Sequence, residues 1–448
     1  MISGDTMIQR TILATLLVAI PALGYGQSID AKDFTLPNGL KVVTVEDHTV
    51  PSVCFAVGFH VGSRNERPGI TGISHLFEHM MFNGSKNYKP TEFDKVLETG
   101  GGYSNAYTSN DITFYYDEFN PDLLDKVLDM EADRMRALKL DTANIEQERG
   151  IVKEERRVST DNSVQGKMIE DLYAASFVAH PYHNPVVGWM KDLDNITLQD
   201  AKDYFKIYYA PNNATVILVG DFDSKTLQKK MAKLFGTIPR EAAPRRVIDA
   251  EPAQEGEKRI KLHKVAELPA VAIGYKSASV SSPDIYPLNI LATILARGES
   301  SRLYQRLVYD KQICTEVSAG TDEFIDPGLF TIFAQMQKGK ATEDAEEEIY
   351  KIISDIAENG ITADELQKAK NMAQSDYVDN FKTNQGIAGR LGYYEVEYGD
   401  YRKSFQVTDL YAKVTSDDVK RVAAKYLGEN QRTVVTLVPE KAETASNE

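Results

Sequence analysis

The two halves of the chain repeat one order of predicted elements, and this repeat limits the possible folds more than any other feature. In the first half, apolar runs that alternate or are β-branched predict strands at residues 40–45 and 52–61, followed by helices and further strands. The same order returns from about Arg259, and each half closes on a similar apolar strand. We therefore predict an α+β fold of two homologous domains, each an antiparallel β-sheet with helices packed on one face.

The predicted domain boundaries follow from length and composition. A chain of 448 residues is long enough for two or three domains, each with its own core. Residues 241–257 are rich in proline, alanine and charged side chains, which is typical of a linker. We place the first domain at residues 30–240 and the second at residues 258–440, and we expect residues 441–448 to form a frayed tail.

The N-terminal segment has the pattern of a secretory signal peptide. Arg10 precedes an apolar run over residues 11–23, and two small glycines then stand close before Gln27. This pattern is typical of a cleaved signal, whereas a permanent membrane anchor needs a longer apolar run. We predict that residues 1–26 are removed and that the protein is periplasmic, with no membrane anchor after cleavage. The alternative is a buried N-terminal helix.

Charge and cysteine content exclude several classes of function. The net charge is −15 at pH 7, and an acidic protein repels phosphate backbones, so we expect no nucleic-acid partner. Two cysteines, Cys54 and Cys314, provide neither a disulfide framework nor a metal site made of cysteines. Both stand among apolar residues, and we expect each to be a small buried side chain.

The most informative motif is His75-Leu-Phe-Glu78-His79, in a predicted helix. Residues four apart share one face of a helix, so both imidazoles can bind the same metal ion. Glu78 lies on an adjoining face, close to such an ion without having to be a ligand. This order of residues is the reverse of the commoner metallopeptidase motif.

A third ligand must come from elsewhere, because a catalytic zinc site has three protein ligands and one position open for water. A predicted helix over residues 144–156 is dense in acids, and Glu148 and Glu155, seven apart, share one of its faces. One can bind the metal while the other supports a ligand. Spacing alone does not choose among Glu148, Glu154 and Glu155, and a solvated acidic face is the alternative.

These motifs resemble the inverzincin zinc metallopeptidases, the family of pitrilysin, insulysin and the mitochondrial processing peptidase, in its half-length bacterial form. The resemblance extends over nearly all of the chain after the predicted signal. It implies one Zn²⁺ per chain, held by His75, His79 and Glu155, with Glu78 as the general base. It also implies that Glu148 supports the catalytic site, and that the chain is an endopeptidase acting on peptides or unfolded polypeptide segments.

A second segment that matches the family, residues 100–116, implies where a peptide substrate binds. In relatives this strand lies beside the zinc ion, and the substrate adds to its edge as an extra strand, which tolerates many sequences. The resemblance implies that Asn105 and Ala106 contact the substrate, together with Phe82 after the histidine motif. For most tyrosines of the segment, the alternative is an aromatic cross-strand face.

The second half lacks the metal motif. Alignment of the two halves places Asn289, Ala292 and Thr293 at the positions of the two histidines and the glutamate. It places Ala369 and Asp376 opposite the two glutamates of the acidic helix. We therefore predict that the second domain is a homologous, inactive domain without zinc ligands.

One departure from the family concerns a partner subunit. Many active relatives carry an Arg and a Tyr seven apart in the second domain, and here the corresponding positions hold Val308 and Thr315. The resemblance therefore implies a heterodimer in which a homologous partner chain supplies the Arg/Tyr pair. The alternatives are a self-sufficient homodimeric peptidase and a non-catalytic scaffold subunit that carries zinc.

Overall fold

The structure is a computed structural model that describes residues 29–248 and 250–441. The predicted signal peptide over residues 1–26 lies outside this part, as does all but the first residue of the predicted tail. The described chain from Ala31 onward folds as one unit. Within it, no helix combines the length and the apolar character needed to cross a membrane.

The first half builds a six-stranded sheet in the order β1-β2-β6-β3-β5-β4. Its strands are β1 (Ala31–Thr35), β2 (Lys41–Glu46), β3 (Val53–Phe59), β4 (Tyr103–Thr108), β5 (Thr113–Phe119) and β6 (Ala214–Gly220). Neighbouring strands are antiparallel except β2 and β6, which run parallel. β4 is an edge strand, so one side of its backbone has no strand partner within the described chain.

The second half builds a five-stranded sheet in the order β7-β11-β8-β10-β9. Its strands are β7 (Lys258–Val265), β8 (Ala270–Lys276), β9 (Cys314–Thr321), β10 (Leu329–Met336) and β11 (Arg432–Glu440). Only β7 and β11 run parallel. Apart from β1, the two sheets share one connectivity, which confirms the predicted α+β fold of two related halves. The sequence pattern does not predict the parallel pair in each sheet.

Helices connect the strands in both halves. Those of the first half are α1 (Ile73–Met80), α2 (Glu92–Thr99), α3 (Leu124–Ala137), α4 (Thr142–Arg156), α5 (Val164–Ser176), α6 (Met190–Asn195), α7 (Leu198–Tyr208) and α8 (Ser224–Leu234). Those of the second half are α9 (Ile285–Ala296), α10 (Thr342–Asn359), α11 (Ala363–Asp379), α12 (Asn384–Tyr398), α13 (Val407–Lys413) and α14 (Ser416–Tyr426). Arg157–Asp161 and Tyr304–Asp310 form π-helical segments.

Side-chain caps set the start of several helices. Asp141 accepts the backbone N–H of Asn144 at 2.9 Å, so that α4 begins at Thr142. Thr362 and Glu365 form a reciprocal capping box at the start of α11. These contacts satisfy N–H groups that the first turn of a helix leaves without an intrahelical partner.

Each sheet packs helices of its own half on one face, as predicted. The core of the first half combines β2, β3 and β6 with α1, α2, α3, α7 and α8. The core of the second half combines β8, β10 and β11 with α9, α10 and α14. Both cores are built mainly from aliphatic and aromatic side chains, whose burial stabilises the fold.

The opposite face of each sheet contacts a helix of the other half. α12 packs on β3 and β6, and its Gly392 approaches the ring of Phe114 on β5. α5 packs on β7, β8 and β11, and its Met168 and Leu172 join a small core with Val435. The two halves therefore exchange one helix each, an arrangement that the sequence repeat alone does not predict.

The two cysteines are free thiols. Cys54 on β3 and Cys314 on β9 are both buried, as predicted. Burial raises the pKa of each thiol, to about 12 for Cys314, so neither has the thiolate character of a reactive cysteine.

Candidate metal centre

α1 and α4 bring the three predicted metal ligands together. His75 and His79 lie one turn apart on α1, with ring centroids separated by 5.0 Å. Glu155 on α4 places Oε1 at 3.6 Å from Nε2 of His75 and Oε2 at 3.4 Å from Nε2 of His79. One ligand atom from each residue lies within 4.8 Å of the others, and the described residues contain no second group of this kind.

These separations fit a single zinc ion. Ligand atoms bound at about 2.0–2.1 Å in tetrahedral geometry lie roughly 3.4 Å apart, close to the distances from Glu155 to the two imidazoles. Two imidazoles and a carboxylate form a donor set typical of catalytic zinc, with one position left open. The side chain of Glu155 is 46% exposed, so the trio of His75, His79 and Glu155 is accessible from solvent.

Glu148 contacts His79 on the side of the ring that is turned away from Glu155. Its Oε2 lies 3.5 Å from Nδ1 of His79, the ring nitrogen that does not face Glu155. The hydrogen bond with His79 lowers the pKa of Glu148. Burial acts to lower the pKa of His79, but the hydrogen bond with Glu148 and the nearby carboxylates outweigh it, so the pKa is raised. This contact orients the ring of His79 so that its Nε2 faces Glu155 and the proposed metal position.

His75 has a different environment on the same helix. Burial lowers its pKa, which favours the neutral imidazole that binds metals. Its Nδ1 is buried and makes no hydrogen bond within the described residues, which leaves Nε2 as the nitrogen directed at Glu155.

Glu78 lies beside the trio and is held by a residue that sequence reasoning missed. Its Oε2 accepts a 2.6 Å hydrogen bond from Oγ1 of Thr108 on β4, and it lies 4.0 Å from Nε2 of His75. The Glu78 side chain is 18% exposed, so water can reach it. The sequence could have indicated Thr108 in one way, since Thr108 belongs to the segment over residues 100–116. The family resemblance implies that this segment lies beside the metal ion.

Glu154 points away from the site. Its side chain is 65% exposed and pairs with Arg157 at 2.8 Å. Of the three acids that spacing left open, the structure therefore places Glu155 with the histidines and Glu148 behind His79.

The three predicted substrate contacts have different surroundings. Asn105 is exposed on the edge strand β4, and its Oδ1 accepts the N–H of Ala106 at 2.8 Å. Ala106 is partly buried against the core of the first half. Phe82 is also partly buried there, near the ring of Tyr115 and the guanidinium of Arg134.

In the second half, the positions that correspond to the trio line a cavity. Asn289 and Thr293 on α9 and Asp376 on α11 border a volume of about 490 Å³. Asn289 donates a 2.6 Å hydrogen bond to Glu323, and Asp376 pairs with Arg297. Ala292 also lines the cavity, whereas Ala369 is buried in the core.

The positions predicted to correspond to the family's Arg/Tyr pair lie around the start of β9. Val308, in the π-helical segment before it, packs against the core of the second half. Thr315 is exposed, and its Oγ1 donates a 3.3 Å hydrogen bond to the carbonyl of Gln335. Neither side chain has the charge or the phenol of the family's pair.

Two family models match the chain. The model of insulinase (peptidase family M16) matches residues 41–188, which include the histidine motif and the acidic helix. The model of the peptidase M16 inactive domain matches residues 195–373.

Curated relatives and solved structures agree with the family models. Zinc protease PqqE of Helicobacter pylori is 35% identical over 438 residues, which cover 95% of this chain and 97% of the relative. A probable mitochondrial-processing peptidase subunit beta of Arabidopsis thaliana is 25% identical over 90% of this chain and 78% of its own length. The crystal structure of a protease from Helicobacter pylori has a TM-score of 0.88 at 34% identity, and the match covers 91% of this chain and 99% of that one. The chain therefore belongs to the insulinase family, peptidase family M16, as its motifs predict.

Proposed function

We propose that the protein is a periplasmic zinc-dependent endopeptidase that hydrolyses peptides or unfolded polypeptide segments. The observation that carries the proposal is the convergence of two imidazoles and a carboxylate, with Glu78 beside them. In this proposal His75, His79 and Glu155 hold one Zn²⁺ per chain. The name of the Helicobacter relative, a zinc protease, supports the choice of metal.

The residues around the trio suit peptide-bond hydrolysis. A zinc ion bound there supplies Lewis acidity to water and to the scissile carbonyl. Glu78 accepts a proton from the water that attacks the carbonyl carbon, and it donates this proton to the amine as the C–N bond breaks. Thr108 orients the Glu78 carboxylate through their hydrogen bond. The free edge of β4, with Asn105 and Ala106, offers backbone groups to an extended substrate.

The decisive variant is Glu78→Gln. We expect it to bind zinc as the wild type does and to lose about 10²–10⁴-fold in peptide hydrolysis, because the proton acceptor is gone and the ligands are intact. Cleavage of a fluorogenic peptide at known zinc content measures this loss. Glu98→Gln, an exposed acid on α2, is the control and should keep full activity. Retained hydrolysis in Glu78→Gln would overturn the proposal.

We further propose a heterodimer, because Val308 and Thr315 replace the family's Arg/Tyr pair. The test is peptide cleavage by the purified chain alone, loaded with one zinc ion. No cleavage alone, with cleavage restored by a homologous chain that carries the pair, is the expected result. Cleavage by the chain alone would favour a self-sufficient homodimer, and a failure of every homologous partner to restore it would favour a zinc-bearing scaffold.

The periplasmic location depends on the predicted signal over residues 1–26. Fractionation of cells that express the full chain with a C-terminal tag tests it. We expect a shortened chain in the periplasmic fraction, and full-length protein in the cytosol would contradict this part of the proposal.

A further inference from the structure

We infer that Glu66 is a positioning residue of the metal centre, because it caps the helix that carries both histidines. The inference rests on the proposed zinc site. Glu66 is outside the histidine motif, in the loop that leads to α1, and only 6% of it is exposed. Its contacts are with the first turn of α1 and not with the trio itself.

Both carboxylate oxygens of Glu66 accept backbone N–H groups at the start of α1. Oε2 accepts the N–H of Gly72 at 2.7 Å, and Oε1 accepts the N–H of Ser74 at 2.8 Å. The first N–H groups of a helix have no intrahelical acceptor, so an external acceptor stabilises this end. Ser74 directly precedes His75, so the cap holds the backbone next to the first ligand.

The residue at the usual cap position cannot do this. Gly72 precedes α1 with a φ of +89°, and a Cβ atom added there would lie 2.6 Å from the carbonyl oxygen of Val187. Serine, threonine, aspartate and asparagine, which normally cap helices, are therefore excluded from this position by space and by backbone conformation. Glu66 supplies the missing acceptor from six residues upstream.

Neighbouring contacts hold the same loop in place. Oδ2 of Asp192 accepts the N–H groups of Gly69 and Thr71 at 3.2 and 3.3 Å. The hydroxyls of Ser74 and Tyr204 form a 2.7 Å hydrogen bond. Since Asp192 already anchors the loop, loss of the Glu66 cap should free the first turn of α1 without releasing the whole loop.

The test compares zinc binding in the wild type and in Glu66→Gln. The amide keeps the shape of the side chain, but its NH₂ group cannot accept from a backbone N–H, so one of the two cap bonds is lost. Burial raises the pKa of Glu66 to about 8, so the comparison is made above that pH, where the wild-type side chain is charged. We expect zinc affinity, measured by chelator competition, to fall about tenfold or more, as for other groups that orient ligands.

A second readout separates positioning from stability alone. Co²⁺ in place of zinc gives an absorption spectrum that depends on ligand geometry, and we expect Glu66→Gln to change it. Asp223→Asn is the matched control, because Asp223 caps α8 in the same half and is not in contact with the trio. A lower melting temperature with unchanged zinc affinity and an unchanged Co²⁺ spectrum would overturn the inference.

If Glu66→Gln does not fold, Glu66→Asp keeps the charge but shortens the reach, and the same two readouts decide. Failure of the wild type to bind zinc would overturn the proposed function. Tight zinc binding by the wild type with no effect of either Glu66 variant would overturn only the positioning role.

Discussion

At the residue scale, one contact determines how His79 faces the metal centre. Its Nδ1 is directed at Glu148, and its Nε2 is directed at Glu155. Because the two ring nitrogens have separate partners, Glu148 fixes both the tautomer and the orientation of the ring. Loss of Glu148 would leave the three proposed ligands present but one of them less well oriented.

We therefore expect Glu148→Gln to weaken zinc binding by about 10- to 100-fold, the usual effect of losing a carboxylate that orients a ligating histidine. Competition with a chromophoric chelator at constant pH measures the change. Glu154→Gln is the matched control, because Glu154 is on the same helix but is exposed and pairs with Arg157. Equal affinities in the two variants would contradict the role of Glu148.

Spacing predicted only part of this site. The helix period places both histidines on one face and Glu78 next to them, because it depends on local geometry alone. It left three acids of α4 as candidates, since the choice depends on how α4 packs against α1. The helix period gives no signal for Thr108 or Glu66. Thr108 contacts Glu78, which lies 30 residues earlier in the sequence. Glu66 contacts Ser74, which lies 8 residues later, so both contacts depend on the fold.

At the element scale, α5 and α12 connect the two sheets, because each of these helices packs on the sheet of the other half. An apolar stripe predicts that a helix is buried, but it does not predict which sheet buries it. For this reason the repetition of one order of elements in the two halves was predictable, whereas the crossing of one helix from each half was not. Leu172 on α5 is fully buried, and a Cβ atom added at Gly274 on β8 of the second sheet would lie 3.2 Å from its Cδ1.

We expect Leu172→Ala to lower the free energy of unfolding by about 2–5 kcal/mol, because it leaves a cavity between α5 and the second sheet. Urea unfolding measures the loss, and hydrogen exchange should show weaker protection in β8. Val178→Ala, at a site that is 62% exposed, removes apolar atoms without leaving a cavity and should change stability little. Similar losses in both variants would show that α5 does not stabilise the second sheet.

At the scale of the whole molecule, a buried polar cluster joins the two halves. Asp111 of the first half accepts the N–H of Ile325 of the second half at 3.0 Å. Nη1 of Arg64 lies 3.2 Å from Oδ1 of Asp111 and 3.1 Å from Oδ2 of Asp326. Glu397 of α12 is also buried near Asp111, and its Oε2 makes no hydrogen bond within the described residues.

We expect this cluster to make the free energy of unfolding depend on pH. Burial raises the pKa of Glu397 well above its ordinary value of 4.5, and the charge of Asp111 adds to the shift. Burial also raises the pKa of Asp111, although Arg64 opposes this. A carboxyl group whose pKa is raised on folding stabilises the folded state fully below its unfolded pKa. That contribution is lost as the pH rises towards the folded pKa.

We therefore expect Glu397→Gln to gain stability relative to the wild type as the pH rises from about 5 to about 8, because the amide has no charge to bury. Each pH unit of this interval that lies below the raised pKa corresponds to about 1.4 kcal/mol of this gain. Urea unfolding midpoints at both pH values measure it. Glu429→Gln, at a side chain that is 75% exposed, is the control and should follow the wild type. If the unfolding midpoints of Glu397→Gln and the wild type change with pH in the same way, ionisation of Glu397 does not affect the free energy of unfolding in this range.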